Sequence, residues 1–187
     1  MYNVLDFGAK GDGTALDTAA IQAALDKCRK DGGGVVVLPG GKIYKSGSLI
    51  LYSDTELHIE SGAVLKASSD LKDFKKFSDI PLGDREVPSY INCEYDGKPA
   101  NFFIYAAGEK NIRITGFGTI DGTEEIYYGV ENPYHIEGKW YPRTPLLFIE
   151  NVHHFTVRDV TLTGSSFWTL HMVGCDDVLV EGIRILN

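Results

Sequence analysis

The chain reads LFIENVHHFTVRDVTLT from Leu147 to Thr163 and LHMVGCDDVLVEGIRIL from Leu170 to Leu186. When the first segment is moved forward by twenty-three residues, its apolar positions coincide with those of the second. The coinciding pairs are Leu147 with Leu170, Ile149 with Met172, Phe155 with Val178, Val157 with Val180, Val160 with Ile183, and Leu162 with Ile185. A fixed period of this length indicates a stacked architecture, in which each unit buries its apolar face against its neighbours.

Within each unit, apolar and polar residues alternate with a period of two, which is typical of short half-buried strands. Phe155 and Val157 alternate with Thr156 and Arg158, and Asp159 interrupts the pattern as a corner. We therefore predict an all-β fold, a right-handed parallel β-helix in which each coil lays its strands on those of the coil below. A leucine-rich repeat has units of similar length, but it expects an Asn after a Leu-x-x-Leu-x-Leu stretch, and none follows here.

Earlier segments carry the same signature less evenly, with Gly62 and Gly118 near their corners. The gap between Ile112 and Phe155 requires an insertion at about 123–145, and a second insertion is expected at about 70–100. The apolar stacks expected across three coils are Leu57–Ile112–Phe155, Ile59–Ile114–Val157 and Leu65–Ile120–Leu162.

The N-terminal residues 1–34 are expected to cap the open end of the β-helix. Ile21, Leu25 and Cys28 recur at helical spacing, which predicts an α-helix at about residues 17–30, with Asp17 or Thr18 as its N-cap. Such a helix would cover apolar side chains and unpaired strand edges at the end of the stack. The whole chain, 1–187, is interpreted as a single β-helix domain.

Composition limits the partners of the protein. The net charge of −8 over 187 residues argues against binding to nucleic acid or to an anionic membrane surface, because phosphate contacts need basic clusters. No apolar run approaches the length that spans a membrane. The sequence leaves the compartment open: we expect a cytoplasmic protein if Met1 is the native start, and a secreted one if a signal peptide has been removed.

Several motifs that suggest metal or cofactor sites have simpler interpretations. Gly8–Gly13 lacks the Lys-Ser/Thr ending of a phosphate loop and indicates a tight turn. The repeat aligns Asp176 and Asp177 with His153 and His154, so the two aspartates are expected to be solvated turn residues, and the adjacent histidine side chains are expected to diverge.

The three cysteines, Cys28, Cys93 and Cys175, are far apart, and Cys175 matches the inward Val152. We therefore expect neither a metal ion nor a cofactor.

Four segments resemble the glycoside hydrolase family 28, the polygalacturonase-like, pectin-degrading enzymes with a pectate-lyase-like solenoid. They are VLDFGAKGDG at Val4–Gly13, GFGTIDG at Gly116–Gly122, RTPLL at Arg143–Leu147 and SFWTLH at Ser166–His171, in the order that the family has. The resemblance spans nearly the whole chain and identifies it as the N-terminal portion of such an enzyme, incomplete at its C-terminal end relative to the family.

The resemblance implies inverting hydrolysis of galacturonate-containing pectic polysaccharide or oligosaccharide. One carboxylic acid protonates the leaving oxygen, and a carboxylate roughly 6.5–9.5 Å away activates water. The family supplies these groups from Asn-Thr-Asp-Gly-Ile and Gly-Asp-Asp motifs, completed by Gly-His-Gly and Arg-x-Lys motifs, and none of the four occurs in this sequence. We therefore place no catalytic residue within the chain, expect these residues beyond Asn187, and predict that the chain alone is inactive.

Five residues are candidates for substrate binding. Thr169 and His171 are expected to point outward into the groove, because Leu170 and Met172 form the inward set. Arg143 is the best candidate to bind an acidic sugar, although it could equally be a structural clamp. Aromatic residues in the 123–145 insertion could stack on sugar rings or pack against the flank of the β-helix; Trp140 and Tyr141 are the two selected.

Two other functions remain open on the same fold. A polysaccharide lyase would use calcium-binding carboxylates and an Arg base, and Thr169 and His171 do not supply an acidic cluster on the groove strand. A non-enzymatic module would bind carbohydrate or assemble with itself through the uncapped C-terminal coil, whose last strand includes Ile183–Leu186.

Overall fold

The computed structural model describes residues 1–80, 101–131, 136–138 and 143–187, and strands dominate them. In chain order the α-helix and the strands are β1 (Tyr2–Asn3), β2 (Asp12–Leu16), α1 (Thr18–Lys30), β3 (Gly34–Leu38), β4 (Ile43–Ser46), β5 (Leu49–Ile50), β6 (Thr55–Ile59), β7 (Val64–Ala67), β8 (Ile104–Ala107), β9 (Lys110–Thr115), β10 (Thr119–Asp121), β11 (Tyr128–Glu131), β12 (Ile136–Gly138), β13 (Leu147–Glu150), β14 (His153–Arg158), β15 (Thr161–Thr163), β16 (Leu170–Val173), β17 (Asp176–Glu181) and β18 (Arg184–Leu186).

Within the described ranges, most strands belong to three parallel sheets, to which each coil contributes in turn. Sheet I has the order β5-β8-β13-β16, sheet II the order β1-β3-β6-β9-β14-β17, and sheet III the order β2-β4-β7-β10-β15-β18. The chain passes from sheet I to sheet II to sheet III and then returns to sheet I one level higher. This is the right-handed parallel β-helix that the repeat predicts, with the hand that parallel connections nearly always take.

The twenty-three-residue period is the register of the last two coils. Leu147 lies opposite Leu170 in sheet I, Phe155 opposite Val178 in sheet II, and Leu162 opposite Ile185 in sheet III. The same residues that coincide in the sequence therefore stack in space. Asp159 turns the chain from sheet II to sheet III with a left-handed backbone, φ 63°.

In sheet II the expected pairings of Ile112 with Phe155 and of Ile114 with Val157 are confirmed, but those one coil earlier are wrong by two residues. Leu57 lies opposite Ile114, whereas the sequence alignment put it opposite Ile112. Leu65 nevertheless lies opposite Ile120, as expected. The reason is the corner between the two strands, which is two residues longer in the earlier coil: Leu65 follows Leu57 by eight positions, and Ile120 follows Ile114 by six.

The α-helix α1 covers one end of the stack. Ile21, Leu25 and Cys28 are fully buried in the main apolar core, which fills the interior of the β-helix. Asp17 is the N-cap residue, as predicted, but its carboxyl makes no hydrogen bond to the helix. It accepts instead from the backbone N–H groups of Lys10, at 2.6 Å, and Gly11, at 2.9 Å, and so holds the glycine-rich turn against the helix start.

The two expected insertions and Cys93 lie partly or wholly outside the described residues. Within the described part, short 3-10 helices cover Leu71–Asp73, Phe77–Asp79 and Glu124–Tyr127, and β11 pairs with β12 as an antiparallel hairpin. No helix of the described ranges has the length and apolar character needed to cross a membrane.

Candidate functional site

The outer face of sheet I carries aromatic side chains where an exposed sheet face would carry polar ones. On β13, Leu147 and Ile149 point into the core, and Phe148 points outward between them. Phe148 lies in register with Tyr105 on one side and His171 on the other. Phe148 and Tyr105 are nevertheless almost completely buried, so this face is covered.

The rings form a continuous surface along the β-helix axis. The centroids of Tyr105 and Phe148 are 5.9 Å apart, with 19° between their planes. Phe148 and His171 are 4.9 Å apart at 20°, and Trp168 and His171 are 3.9 Å apart at 11°. These nearly parallel rings bring together residues from three coils, with Trp168 and His171 at the C-terminal end.

His171 points outward, as the alternation predicts, and is half-buried beside these rings. Burial lowers the pKa of His171, because a charged imidazole loses hydration there. The ring is therefore neutral at neutral pH, where it can donate one hydrogen bond and accept another.

Thr169 also points outward, and its hydroxyl is held from the next coil. The Asn187 side-chain amide donates to Thr169 Oγ1 at 2.7 Å, and Asn187 Oδ1 accepts from the Ser165 backbone N–H at 3.3 Å. The Asn187 side-chain amide thus bridges the Ser165 backbone and the Thr169 hydroxyl. Sequence reasoning selected Thr169 but did not identify Asn187, because the two residues are eighteen positions apart.

Arg143 lies beside the same segment. Its Nη1 donates to the Ser166 carbonyl oxygen at 3.4 Å, and its guanidinium carbon lies 5.6 Å from the centroid of the Phe167 ring. The long hydrogen bond and the ring contact fit a structural clamp, and they also place a cation beside Phe167, whose ring centroid lies 4.3 Å from that of Trp168. Trp140 and Tyr141 lie outside the described residues, so their selection remains a prediction.

Sequence reasoning missed a buried polar pair on this face. The Tyr105 hydroxyl donates to Glu150 Oε2 at 2.7 Å, and Glu150 is fully buried. A sequence signal was available in the near-continuous apolar runs FFIYAA at Phe102–Ala107 and LLFI at Leu146–Ile149. Runs of that kind are typical of strands covered on both faces, as β8 and β13 are.

The paired histidines correct one expectation. His153 and His154 do not diverge: their ring centroids are 3.8 Å apart, because His154 has a left-handed backbone, φ 58°. Asp176 and Asp177 are exposed, as expected, and their carboxyl oxygens lie 2.8 Å from His153 Nδ1 and 2.6 Å from His154 Nε2. Among the described residues, no group of three or more His, Cys, Asp or Glu side chains is arranged to hold a metal ion.

The free thiol of Cys175 lies at an inward position, packed against the main core. Its Sγ lies 3.5 Å from the Ile149 carbonyl oxygen, and burial raises the pKa of the thiol. Cys28 is a free, buried thiol whose pKa is also raised by burial. Both therefore behave as small apolar residues rather than as nucleophiles.

Comparison with known proteins finds similar proteins that are named as polygalacturonases. A probable polygalacturonase from Vitis vinifera is 29% identical over 98% of the chain, and an exo-poly-alpha-D-galacturonosidase from Dickeya chrysanthemi is 37% identical over 65% of it. The chain spans 36% and 19% of the length of these two relatives.

A crystal structure from Parabacteroides merdae, of a protein provisionally described as a glycosyl hydrolase, superimposes with a TM-score of 0.77. It is 31% identical, and the match covers 98% of this chain and 74% of that one. The model of the family described as rhamnogalacturonase A/epimerase, pectate lyase-like, matches residues 1–167. The resemblance found in the sequence is thereby confirmed, and the chain belongs to the rhamnogalacturonase A/epimerase, pectate lyase-like family.

Proposed function

We propose that this chain is part of a polygalacturonase-like glycoside hydrolase and that the outer face of sheet I near Trp168 and His171 binds a galacturonate-containing saccharide. The observation that supports this proposal most directly is the stacked Trp168–His171 pair with the Arg143 guanidinium beside the adjacent Phe167. Aromatic faces suit the apolar faces of sugar rings, and a guanidinium suits a carboxylate. The names of the two polygalacturonase-type relatives support a galacturonate-containing substrate.

Each selected side chain has a role in this proposal. Arg143 pairs with the carboxylate of one sugar unit, and neutral His171 exchanges hydrogen bonds with hydroxyl groups. Thr169, whose hydroxyl oxygen already accepts from Asn187, offers its own proton to the saccharide. Trp140 and Tyr141 are proposed as further stacking residues on the strength of their residue types alone.

A binding measurement separates an acid-specific site from a general sugar surface. We expect isothermal titration calorimetry to show binding of trigalacturonate, with weaker binding of its neutral methyl ester. Arg143→Gln should weaken binding of the acid about tenfold and leave binding of the ester unchanged. Arg113→Gln, on the exposed face of sheet II, is the matched control. Equal affinity of the wild-type chain for acid and ester would overturn the assignment to Arg143.

We further propose that the chain alone binds without cleaving, since the family's four catalytic motifs do not occur in its sequence. Incubation with polygalacturonate should release no reducing ends above a buffer control, with or without calcium. Release of reducing ends would contradict this proposal. Unsaturated products absorbing in the ultraviolet would favour the lyase alternative.

Self-association is a second proposal, supported by the exposed side chains of the last coil. Ile185 and Leu186 are 50% and 60% exposed, although Ile185 continues the core stack of Leu162. We propose that a second copy of the chain covers this face. Sedimentation should show a species larger than the monomer, which Ile185→Lys abolishes and the exposed-corner control Phe117→Lys does not. A stable wild-type monomer would rule this out.

A further inference from the structure

Tyr127 is a buried tyrosine that ends the 3-10 helix Glu124–Tyr127. The start of this segment is fastened to the body of the β-helix through Thr123, which is also buried. The Thr123 hydroxyl donates to the Ala67 carbonyl oxygen at 2.7 Å, and the Thr123 backbone N–H donates to Asp121 Oδ1 at 2.8 Å. Tyr127 therefore projects from a fixed point on the coil.

The Tyr127 hydroxyl joins this segment to the residue that follows Arg143. The hydroxyl oxygens of Tyr127 and Thr144 lie 2.7 Å apart, and Thr144 is buried as well. Burial raises the pKa of the Tyr127 hydroxyl, so the phenol stays protonated at neutral pH and the bond to Thr144 persists. The bond connects residues seventeen positions apart and closes the base of the segment 123–145.

A series of contacts leads from Thr144 to the Arg143 guanidinium. The Thr144 carbonyl oxygen accepts from the Ser166 hydroxyl at 3.4 Å, and the Ser166 carbonyl oxygen accepts from Arg143 Nη1 at 3.4 Å. Both hydrogen bonds are long, so neither holds the arginine firmly by itself. Tyr127 restrains the backbone that carries Arg143, because Thr144 follows Arg143 directly in the chain. The guanidinium carbon then lies beside Phe167, 5.6 Å from the centroid of its ring.

We propose that Tyr127 is a positioning residue for Arg143 and thereby sets the preference of the site for acidic over neutral saccharides. This inference rests on the proposed function, in which Arg143 pairs with a sugar carboxylate. A guanidinium binds a carboxylate best through two parallel hydrogen bonds, which require a defined orientation. Freedom of the Arg143 backbone would be lost when a saccharide binds, and this loss would cost conformational entropy. The bond between Tyr127 and Thr144 removes that freedom before binding.

The burial of Tyr127 separates this role from direct contact with the saccharide. Tyr127 is almost completely buried, so it acts through Arg143 rather than on the ligand itself. Its effect should therefore appear in the binding of an acidic saccharide alone, and should disappear when the guanidinium is absent. A purely structural role would instead weaken the binding of acidic and neutral saccharides together.

Isothermal titration calorimetry with trigalacturonate and its methyl ester tests the inference in a double-mutant cycle. Tyr127→Phe keeps the ring and removes the hydroxyl, and we expect it to weaken binding of the acid about threefold and to leave binding of the ester unchanged. In an Arg143→Gln background, Tyr127→Phe should have no further effect on the acid. Tyr128→Phe is the matched control, because the Tyr128 hydroxyl donates to Glu124 in an exposed position, and both affinities should stay unchanged.

A second measurement follows Arg143 without any saccharide. Nitrogen-15 relaxation of the Arg143 Nε–H group in the free chain should give a lower order parameter in Tyr127→Phe than in the wild type. Tyr128→Phe should leave this order parameter unchanged. Thr144→Val removes the same hydrogen bond from the other side and should reproduce the effect of Tyr127→Phe in both measurements.

Three results would overturn the role of Tyr127. They are an equal loss of affinity for acid and ester in Tyr127→Phe, a further loss for the acid in the Arg143→Gln background, and an unchanged order parameter of Arg143 Nε–H. Equal affinity of the wild-type chain for acid and ester would overturn the proposed function, and with it the role of Tyr127 in acid preference. The order parameter tests the positioning of Arg143 separately, so the two failures are distinguishable.

Discussion

The indole ring of Trp168 and the imidazole ring of His171 stack with their centroids 3.9 Å apart and their planes 11° from parallel. Trp168 comes from the loop before β16 and His171 from the strand itself. Their contact closes the C-terminal end of the aromatic surface on sheet I, over Phe148. The same burial that makes the contact lowers the pKa of His171, so the stack and the charge state of the ring are coupled.

Acidification should loosen this stack. Because the folded state lowers the pKa of His171, the stability that the neutral ring contributes is complete above the unfolded pKa and is lost as the pH falls through the folded pKa. In a Trp140→Phe background, quenching of Trp168 fluorescence should report the protonation of His171. The midpoint of this transition should lie below the ordinary histidine pKa of about 6.5. His171→Gln should abolish the transition. A midpoint at or above the ordinary value would contradict the burial argument.

Removing the Tyr105 hydroxyl should destabilise the protein, because the buried Glu150 carboxyl loses a donor. We expect Tyr105→Phe to reduce the free energy of unfolding in urea by about 1–3 kcal/mol. Tyr128→Phe is the control: Tyr128 also donates to a carboxyl group, that of Glu124, at 3.0 Å, but in an exposed position. Tyr128→Phe should therefore reduce the free energy of unfolding by less than about 0.5 kcal/mol. Equal costs would show that burial of Glu150 does not matter.

Gly116 should tolerate no side chain, because the backbone of the preceding coil is too close. A Cβ at Gly116 would lie 2.0 Å from the carbonyl oxygen of Ile59, whereas one at Gly8 would meet nothing within 4 Å. The two glycines have similar positive φ angles, 104° and 96°. Gly8→Ala should therefore show only the backbone cost of about 1–2 kcal/mol. Gly116→Ala should lower the free energy of unfolding, measured by heat or urea, by several times as much as Gly8→Ala does. Similar losses for the two variants would contradict the close approach of Ile59 to Gly116.

Leu162 tests the apolar stack that the repeat predicts. It is fully buried between Ile120 and Ile185 in sheet III, so Leu162→Ala should cost about 2–5 kcal/mol of the free energy of unfolding. Leu179→Ala removes the same atoms from a side chain that is 47% exposed on sheet II and should cost less than about 1 kcal/mol. A small effect at Leu162 would mean that the stack of this coil does not stabilise the fold.

The sequence determined the coil-to-coil register where the repeat is regular and misplaced it where a corner changes length. Leu147 and Leu162 stack on their partners twenty-three residues later because the last two coils have corners of equal length. Leu57 was misplaced by two residues, since alternation has a period of two and a shift by two leaves the same residues facing inward. Periodicity therefore determines which face is buried, but not the length of a corner.

The outward direction of Thr169 and His171 likewise followed from alternation, but their surroundings did not. The stacking of Trp168 on His171, the bond from Asn187 to Thr169, and the burial of Glu150 beside Tyr105 join residues from different coils. The meeting of His153 and His154 depends on a single left-handed residue. A twenty-three-residue repeat of alternating apolar residues was sufficient to specify the β-helix, because burial of one face needs only a period. The polar and aromatic contacts were decided by tertiary structure, because they depend on which side chains the stacked coils bring within a few ångströms.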